Sequence, residues 1–424
     1  MKKVLVLSCI SAGFFLNAQT IGNSPYAAYG IGDVKYDNTV EVNAMGGITT
    51  AYITDLGNSF NFRNPAANTN FDLTSFRVEG TNETNFFKTN YNSAEATKHS
   101  TYLSQISLSF PITKKVKFGL GYQPYSSKKY DLINREVLDD GTVRGNHFVG
   151  SGTLSTVQGA LSYQVTPAFA LGFRSNFYFG NLYDLTEYTS SNAELFNGYE
   201  TRYKVETFNF TLGSTYQKKF ENDRKLTLGA TYTFGNSGSL ENTYTNSTYF
   251  YSTGDVRTLV DEIDKTSSQD KQLIPVEASF GLGYGRDLRW FLGTQYDYKK
   301  GEEIQVLGQP FQYNDSYRFS LGGWYLPNPN NFRNYFSRVV YRYGAYYEKG
   351  NLRINTSSIN KYGVTFGATL PFVSSNSTNA SSMDVGVEVG KRGTLENNLI
   401  NQTFINFRIG INFADRWFQK KVIY

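Results

Sequence analysis

The chain has 424 residues, with 41 lysines and arginines against 36 aspartates and glutamates, and a formal net charge of +5. This slight positive excess does not indicate a nucleic-acid partner. The only cysteine is Cys9, which lies in the predicted signal peptide, so the mature chain has no disulfides or thiol chemistry.

Residues 1–18 are organised like an export signal. Lys2 and Lys3 supply the positive end, Val4 to Leu16 is apolar, and Ala18 is a small residue at a cleavage point. The apolar run is too short for a membrane anchor. A lipoprotein signal using Cys9 is the alternative, but few apolar residues precede that cysteine. We therefore predict a signal peptide that is cleaved near Ala18.

Residues 19–72 form a segment rich in Gly, Asn and Ala. It lacks the alternation of apolar and polar residues that is typical of a membrane-spanning strand. A barrel of about fourteen strands encloses a lumen that its side chains alone do not fill. Because this segment precedes the predicted barrel, we predict that residues 19–72 are an N-terminal plug inside it.

Residues 73–414 repeat stretches of about ten residues in which apolar and small or polar side chains alternate, a period typical of strands. Ile405, Phe407 and Ile409, for example, alternate with Asn406 and Arg408. Strands of this length span a bilayer only as a closed barrel. The sequence thus predicts an all-β fold, a 14-stranded antiparallel transmembrane β-barrel. Its predicted strands are 73–80, 101–110, 116–124, 153–164, 168–180, 203–217, 225–235, 275–285, 289–299, 316–326, 338–349, 361–371, 383–392 and 403–414.

The predicted connections alternate in length, being mostly short after even strands and long after odd strands. Short turns lie on the periplasmic side of outer-membrane barrels and long loops lie outside. Both ends of the barrel are therefore expected in the periplasm, followed by a periplasmic tail over 415–424, and the protein in the outer membrane. The connection 327–337 is longer than this rule predicts. A soluble β-sandwich is the alternative, although its polar faces would carry more charge.

Side chains alternate between inward and outward positions along each strand, and this alternation is called here parity. Parity places charges of both signs on the inward faces of the strands. Such groups must pair or be hydrated. We predict a network that stiffens the lumen and holds the plug, with a substrate-binding belt as the alternative. Glu388→Arg is expected to cost less than Val387→Arg, because Glu388 faces the lumen, which can hydrate the charge, and Val387 faces lipid. The predicted lumen charges are Arg174, Glu277, Asp297, Arg318, Arg338, Arg342, Asp384, Glu388 and Arg408.

Two motifs in the plug segment resemble the N-terminal hatch of the FadL/TodX family of outer-membrane transporters. Gly46 and Gly47 form a Gly-Gly pair, and Asn64, Pro65 and Ala66 form an Asn-Pro-Ala motif. The opening residues 24–33 are similar to a FadL-like group from Bacteroidota. The resemblance implies a fourteen-stranded barrel that passes small hydrophobic ligands by movement of the plug or through a lateral opening in the wall.

The sequence departs from that family in its outer loops, which are rich in Asn, Ser, Thr, Tyr and charge. Only Asp255–Ile263 has helical spacing, and it predicts a short helix packed on its own loop. Two functions are therefore predicted. The first is a transporter or channel for small hydrophobic molecules. The alternative is a non-transporting partner subunit of an outer-membrane assembly or secretion complex.

The sequence shows no pattern that indicates an enzyme. His99 and His147 lie in separate predicted outer loops, and neither accompanies a nucleophile motif. No metal site or cofactor is predicted. The expected partners are outer-membrane lipid, a hydrophobic small molecule, or subunits of an assembly or secretion machine, without nucleic acid.

Overall fold

The computed structural model describes residues 21–35, 39–56, 58–90, 93–235, 239–254, 256–271, 274–301, 303–306, 309–354, 356–372 and 380–416. The predicted signal peptide with Cys9 lies outside this range, and so do residues 417–424 of the predicted tail. Within the described range, no helix has the length and apolar character needed to cross a membrane.

Fourteen antiparallel strands close into a barrel. Each pairs with the next along the chain. The last strand pairs with the first, with Thr74 opposite Asp415 and Thr89 opposite Ile400. The predicted all-β, 14-stranded antiparallel barrel is therefore confirmed. The strands are β1 (Thr74–Thr89), β2 (Glu95–Pro111), β3 (Val116–Ser127), β4 (Val143–Gln164), β5 (Phe169–Ser190), β6 (Phe196–Lys219), β7 (Arg224–Thr233), β8 (Glu277–Arg286), β9 (Trp290–Lys299), β10 (Ser316–Tyr325), β11 (Val340–Lys349), β12 (Lys361–Pro371), β13 (Ser382–Arg392) and β14 (Ile400–Asp415).

Successive side chains of the wall strands alternate between an exposed outer face and a buried inner face. On β13, Val387 and Val389 are 37% and 41% exposed, whereas Asp384 and Glu388 are 2% and 5% exposed. The outward residues Phe407 and Ile409 on β14 are exposed in the same way. A continuous apolar exterior around a closed barrel is the surface that lipid covers.

The predicted long loops are largely β-structure, so their prediction as loops was wrong. Tyr130–Val137 pairs with β4, and Ser239–Ser252 pairs with both β6 and Val256–Lys271. Together with the extended ends of β4, β5 and β6 they form a six-stranded layer, called here the outer sheet. Its two edges are the strands Tyr130–Val137 and Val256–Lys271. Two short hairpins, Glu303–Val306 with Gln309–Gln312 and Arg353–Ile354 with Ser357–Ser358, complete this end.

The predicted helix over 255–263 was also wrong, because Val256–Lys271 is a strand. Its pairing with Ser239–Ser252 shifts register twice, leaving Val260 and Ile263 without partners opposite them. Each extra residue moves the alternation by one position. Two such shifts interrupt the period of two between Leu259 and Asp264. The helix-like spacing combines the bulged residues Val260 and Ile263 with Val256 and Leu259, which are three positions apart in continuous register and so lie on opposite faces of the strand.

In the described part of the N-terminal segment, the elements before β1 are short. These are a 3₁₀ turn at Pro25–Ala28, a strand at Asp33–Val34, one helical turn at Val40–Asn43 and a second 3₁₀ turn at Pro65–Ala67. Further 3₁₀ turns lie at Glu221–Asp223, Tyr335–Arg338 and Glu396–Asn398 in the connections of the wall. Most described residues of the segment are buried.

Candidate functional site: the filled lumen

Inward-facing glycines of the wall leave the room that the N-terminal segment occupies. A Cβ added to Gly281 would lie 2.9 Å from the nitrogen of Ala51, and one added to Gly386 would lie 3.4 Å from Val40 Cγ1. Seven further wall glycines would bring an added Cβ closer still to the segment, namely Gly119, Gly172, Gly213, Gly229, Gly322, Gly344 and Gly367. Side chains at these seven positions would collide with the segment, and one at Gly386 would touch it, so the wall and the segment have complementary shapes.

The Gly-Gly motif ends the helical turn Val40–Asn43 against the wall. Gly46 and Gly47 have φ values of 72° and 89°, a region that favours glycine. The amide of Gly46 donates to Thr365 Oγ1 at 2.9 Å, and its carbonyl accepts from Arg318 Nη2 at 3.1 Å. The motif thereby joins the segment to β10 and β12.

The Asn-Pro-Ala motif forms a second anchor on β5 and β6. The Asn64 side chain accepts from the amide of Ala66 at 3.1 Å and donates to the carbonyl of Thr50 at 2.6 Å. Pro65 and Ala66 pack on Gly172, and the Ala66 carbonyl accepts from Thr215 Oγ1 at 3.1 Å. Both plug motifs therefore lie on the inner wall.

A buried group of charges joins the segment to three strands. Glu41 accepts from Arg342 of β11 at 2.9 Å and from Arg77 of β1 at 3.4 Å. Arg77 also pairs with Glu79 at 3.1 Å and with Asp384 of β13 at 3.5 Å. Breaking a buried pair leaves one charge without compensation, which is strongly unfavourable. Glu41 therefore connects the segment electrostatically to the wall.

Two other predicted charges, Arg318 and Glu388, form separate contacts nearer the outer end. Arg318 donates to Glu348 at 3.3 Å, and its guanidinium lies 3.8 Å from the centre of the Tyr346 ring. Glu388 accepts from Arg408 at 2.6 Å and from the side chain of Asn406 at 3.1 Å. Both pairs lie on neighbouring wall strands.

The remaining inward charges contact polar groups of the wall and the segment. Glu277 accepts from Arg63 of the segment at 3.3 Å and from Lys299 at 2.7 Å. Arg174 donates to Gln158 and to Thr211, both at 3.3 Å.

Asp297 acts through a neighbouring amide. It accepts from Gln295 Nε2 at 2.8 Å, and this orients Gln295 Oε1 toward the segment. That oxygen accepts from the amides of Thr49 and Thr50, both at 2.8 Å. A wall charge thus fixes the side chain that anchors the segment backbone.

Arg338 is the predicted lumen charge that the structure places elsewhere. It lies in the 3₁₀ turn Tyr335–Arg338, before β11 begins at Val340. Its guanidinium lies 5.4 Å from the ring centres of both Phe332 and Tyr335. Because the strand starts later than predicted, the alternation that runs through Arg342 does not extend to Arg338.

Two central members of the network were not among the predicted lumen charges. Arg77 and Glu79 alternate with Phe76 and Val78 on β1, and this alternation is the signal that could have identified them. Glu41 has no such signal, because the segment that carries it has no strand period.

The lumen contains cavities, and charged side chains line them. One of about 160 Å³ is bordered by charged side chains, such as Arg63, Glu277 and Arg318, and also by aromatic and aliphatic ones, such as Tyr26, Tyr313, Leu352 and Ile359. A neighbouring cavity of about 80 Å³ shares Arg318, Lys361 and Arg392 and adds Glu83 and Glu388. An apolar ligand beside these charges would remove water from them without replacing its hydrogen bonds, which is unfavourable.

The segment also occupies a gap in the wall between β2 and β3. These two strands pair only from Ile106 opposite Tyr122 to Pro111 opposite Lys117. Farther out, Asp33 and Val34 of the segment pair with Ser127 and Ser126 of β3. Asp33 accepts from Arg392 at 2.6 Å, and Lys35 donates to Glu83 at 2.9 Å. The side of the barrel is thereby occupied by the chain's own residues.

Comparisons with known proteins agree with this architecture. A protein-family model with the description BamG matches residues 1–423. The toluene transporter TodX of Pseudomonas putida superposes with a TM-score of 0.60 at 17% identity, covering 93% of this chain and 100% of that chain. The toluene transporter TbuX of Ralstonia pickettii superposes with a TM-score of 0.55 at 14% identity, covering 88% and 97%. No similar sequence is found among the curated proteins. At these identities the two transporters show a shared fold.

Proposed function

The chain belongs to the BamG family, and from this premise we propose that it is a non-transporting partner subunit of an outer-membrane protein assembly or secretion complex. The observation that carries the proposal is the filled lumen. The N-terminal segment is matched to the wall glycines and tied by buried ion pairs, and it also occupies the gap between β2 and β3. In this role residues 19–72 are a fixed plug.

The outer sheet supports the same proposal. It extends the barrel beyond the wall and carries paired tyrosines, such as Tyr188 and Tyr199 with ring centres 5.6 Å apart. Tyrosine-rich surfaces are typical of protein interfaces. An outer-membrane location for the subunit is supported by the apolar exterior of the closed barrel.

Affinity purification from native membranes in mild detergent tests the proposal. The tagged protein is expected to elute with stoichiometric partners, at a mass well above the 47.8 kDa of the chain. An unrelated outer-membrane barrel with the same tag is the matched control. Elution of the chain alone at monomer size contradicts the proposal.

A second function, transport of small hydrophobic molecules, is supported by the fold that the chain shares with TodX and TbuX. The charged side chains that border both cavities argue against it, whereas the aromatic and aliphatic side chains of the larger cavity, such as Tyr26, Leu352 and Ile359, favour it. A deletion strain decides between the two functions. Reduced uptake of aromatic hydrocarbons or fatty acids, restored by the wild-type chain, would support transport, and unchanged uptake would eliminate it.

A further inference from the structure

The edge strand Val256–Lys271 exposes a cluster in which apolar and acidic residues are mixed. The cluster, called here the acidic–apolar edge, consists of Leu259, Val260, Asp261, Glu262, Ile263 and Asp264. All six side chains are exposed, and Leu259, Val260 and Ile263 are 58%, 51% and 53% exposed. The strand pairs on one side with Ser239–Ser252, and the sheet among the described residues ends there.

Exposed apolar residues on an edge strand invite association, and proteins usually prevent it with charges or bulges. This edge has both, because Val260 and Ile263 are the bulged residues and three carboxylates lie among them. The bulges interrupt the regular backbone that an added strand would need. They also leave the apolar side chains projecting, so contact through side chains is favoured over strand addition.

The negative charge of the cluster indicates which kind of partner can bind to it. Asp261, Glu262 and Asp264 carry three negative charges, and the nearby cation Lys265 lies 4.0 Å from Glu262. A second copy of the edge would bring carboxylates against carboxylates, and anionic lipid head groups would be repelled in the same way. An apolar patch surrounded by lysines or arginines satisfies both parts of the cluster.

We propose that the acidic–apolar edge is a docking site for a partner protein that presents an apolar patch ringed by basic residues. The proposal rests on the proposed function, and it adds the surface and the chemistry of the partner. Leu259, Val260 and Ile263 would enter the apolar patch, while the three carboxylates pair with its basic rim.

Paired substitutions at the two edges of the outer sheet test this assignment. Val260→Asp with Ile263→Asp should reduce the partner recovered with the tagged full chain by about tenfold or more, as loss of central apolar contacts does. The matched control is Ile133→Asp with Val137→Asp on the opposite edge, where these residues are 64% and 71% exposed. The control should retain the partner. Folding of each variant is checked by the heat-dependent mobility of the barrel on gels.

A photo-crosslinking residue placed at position 260 in native membranes identifies what lies against the edge. The expected adduct is a peptide of the partner with apolar residues beside lysine or arginine. Asp264→Lys should weaken recovery, and replacing the crosslinked partner's basic residue with glutamate should restore it. An adduct with lipid or with a second copy would overturn the proposal, and so would full recovery of the partner by the Val260→Asp, Ile263→Asp variant. If the wild-type chain is monomeric, it is the proposed function that fails.

Discussion

At the scale of single residues, Glu41 is where the N-terminal segment and the wall are joined most directly. It contacts Arg342 and Arg77 and accepts from the hydroxyl of Tyr52 at 2.6 Å. Arg342→Ala leaves this buried carboxylate with the longer ion pair to Arg77 and the hydroxyl of Tyr52. We expect a loss of about 3 kcal/mol in the free energy of unfolding, the lower end for a broken buried pair.

The variant should also raise the conductance of the barrel in planar bilayers, because a loosened segment opens the lumen. The double variant Arg342→Met with Glu41→Gln removes both charges and should recover much of the lost stability. Heat-dependent mobility on gels measures stability in both cases. A single variant as stable and as non-conducting as the wild type would show that this pair does not hold the segment.

His147 makes the stability of the outer sheet depend on pH. It lies on β4 outside the spanning stretch predicted over 153–164, and contacts Glu187 at 2.7 Å and Asp131 at 2.9 Å. Burial lowers the pKa of His147, but hydrogen bonds to these carboxylates and their charges outweigh burial and raise the pKa above 6.5. The stabilisation is therefore complete below about pH 6.5 and is lost as the pH rises through the raised pKa.

Hydrogen exchange of the edge strand Tyr130–Val137, corrected for intrinsic rates, measures this effect. Protection should be greater at about pH 5.5 than at about pH 8, and His147→Gln should remove the difference. A titration that places the pKa of His147 below 6.5 would contradict the assignment.

Val387 on β13 separates a lipid-facing wall from a protein core. Val387→Arg should cost about 2–4 kcal/mol near the midplane, whereas Val387→Leu should cost little because lipid has no fixed shape. Denaturation of the folded barrel in lipid vesicles gives both values. A clearly destabilised leucine variant would mean that position 387 packs against protein.

The lower cost of Glu388→Arg compared with Val387→Arg stays a prediction, and the surroundings of Glu388 bear on it. This side chain is buried and accepts from Arg408 and Asn406, so Glu388→Arg would place two guanidinium groups together. Parity assigns the direction of a side chain. It does not show whether water or the N-terminal segment fills the space beyond it.

At the scale of elements, the glycines of the wall and the backbone of the segment depend on each other. A Cβ on Gly344 would collide with backbone atoms of Met45 and Gly46. Gly344→Ala should therefore displace the Gly-Gly motif, at a cost of about 1–3 kcal/mol, and raise conductance. Gly159→Ala is the control, because the nearest atom to its added Cβ is Leu120 Cδ2 at 3.7 Å. Equal stability of the two variants would show that the contact at Gly344 is unimportant.

The spanning strands could be predicted from the sequence because lipid outside and polar groups inside impose a strict period of two. The outer sheet could not, because both of its faces meet water or protein and the two bulges of Val256–Lys271 disturb the alternation. Inward charges such as Arg342 and Glu277 followed from parity. Their partners Glu41 and Arg63 did not, since they lie on a segment shaped by the wall rather than by its own period.

At the scale of the whole molecule, the proposed partner subunit has an N-terminal segment that remains in place while the protein functions. A transporter of the kind that the family resemblance implies would need the segment to move or the wall to open. The wall gap is occupied by Asp33 and Val34, and charged side chains form part of the border of both cavities. The proposed role in a complex therefore implies that the N-terminal segment stays fixed inside the barrel.

A disulfide that locks the segment to the wall tests this claim most directly. An ideal Cβ on Gly386 lies 3.8 Å from Ala44 Cβ, a separation typical of disulfides. Because Cys9 is the only cysteine and lies in the predicted signal peptide, Ala44→Cys with Gly386→Cys introduces a single pair into the mature chain. The two single-cysteine variants and added reductant are the controls. We predict that the locked protein co-purifies with its partners and complements a deletion strain as well as the reduced form does. Loss of function on locking that reductant restores would show that the segment must move, and would contradict the account.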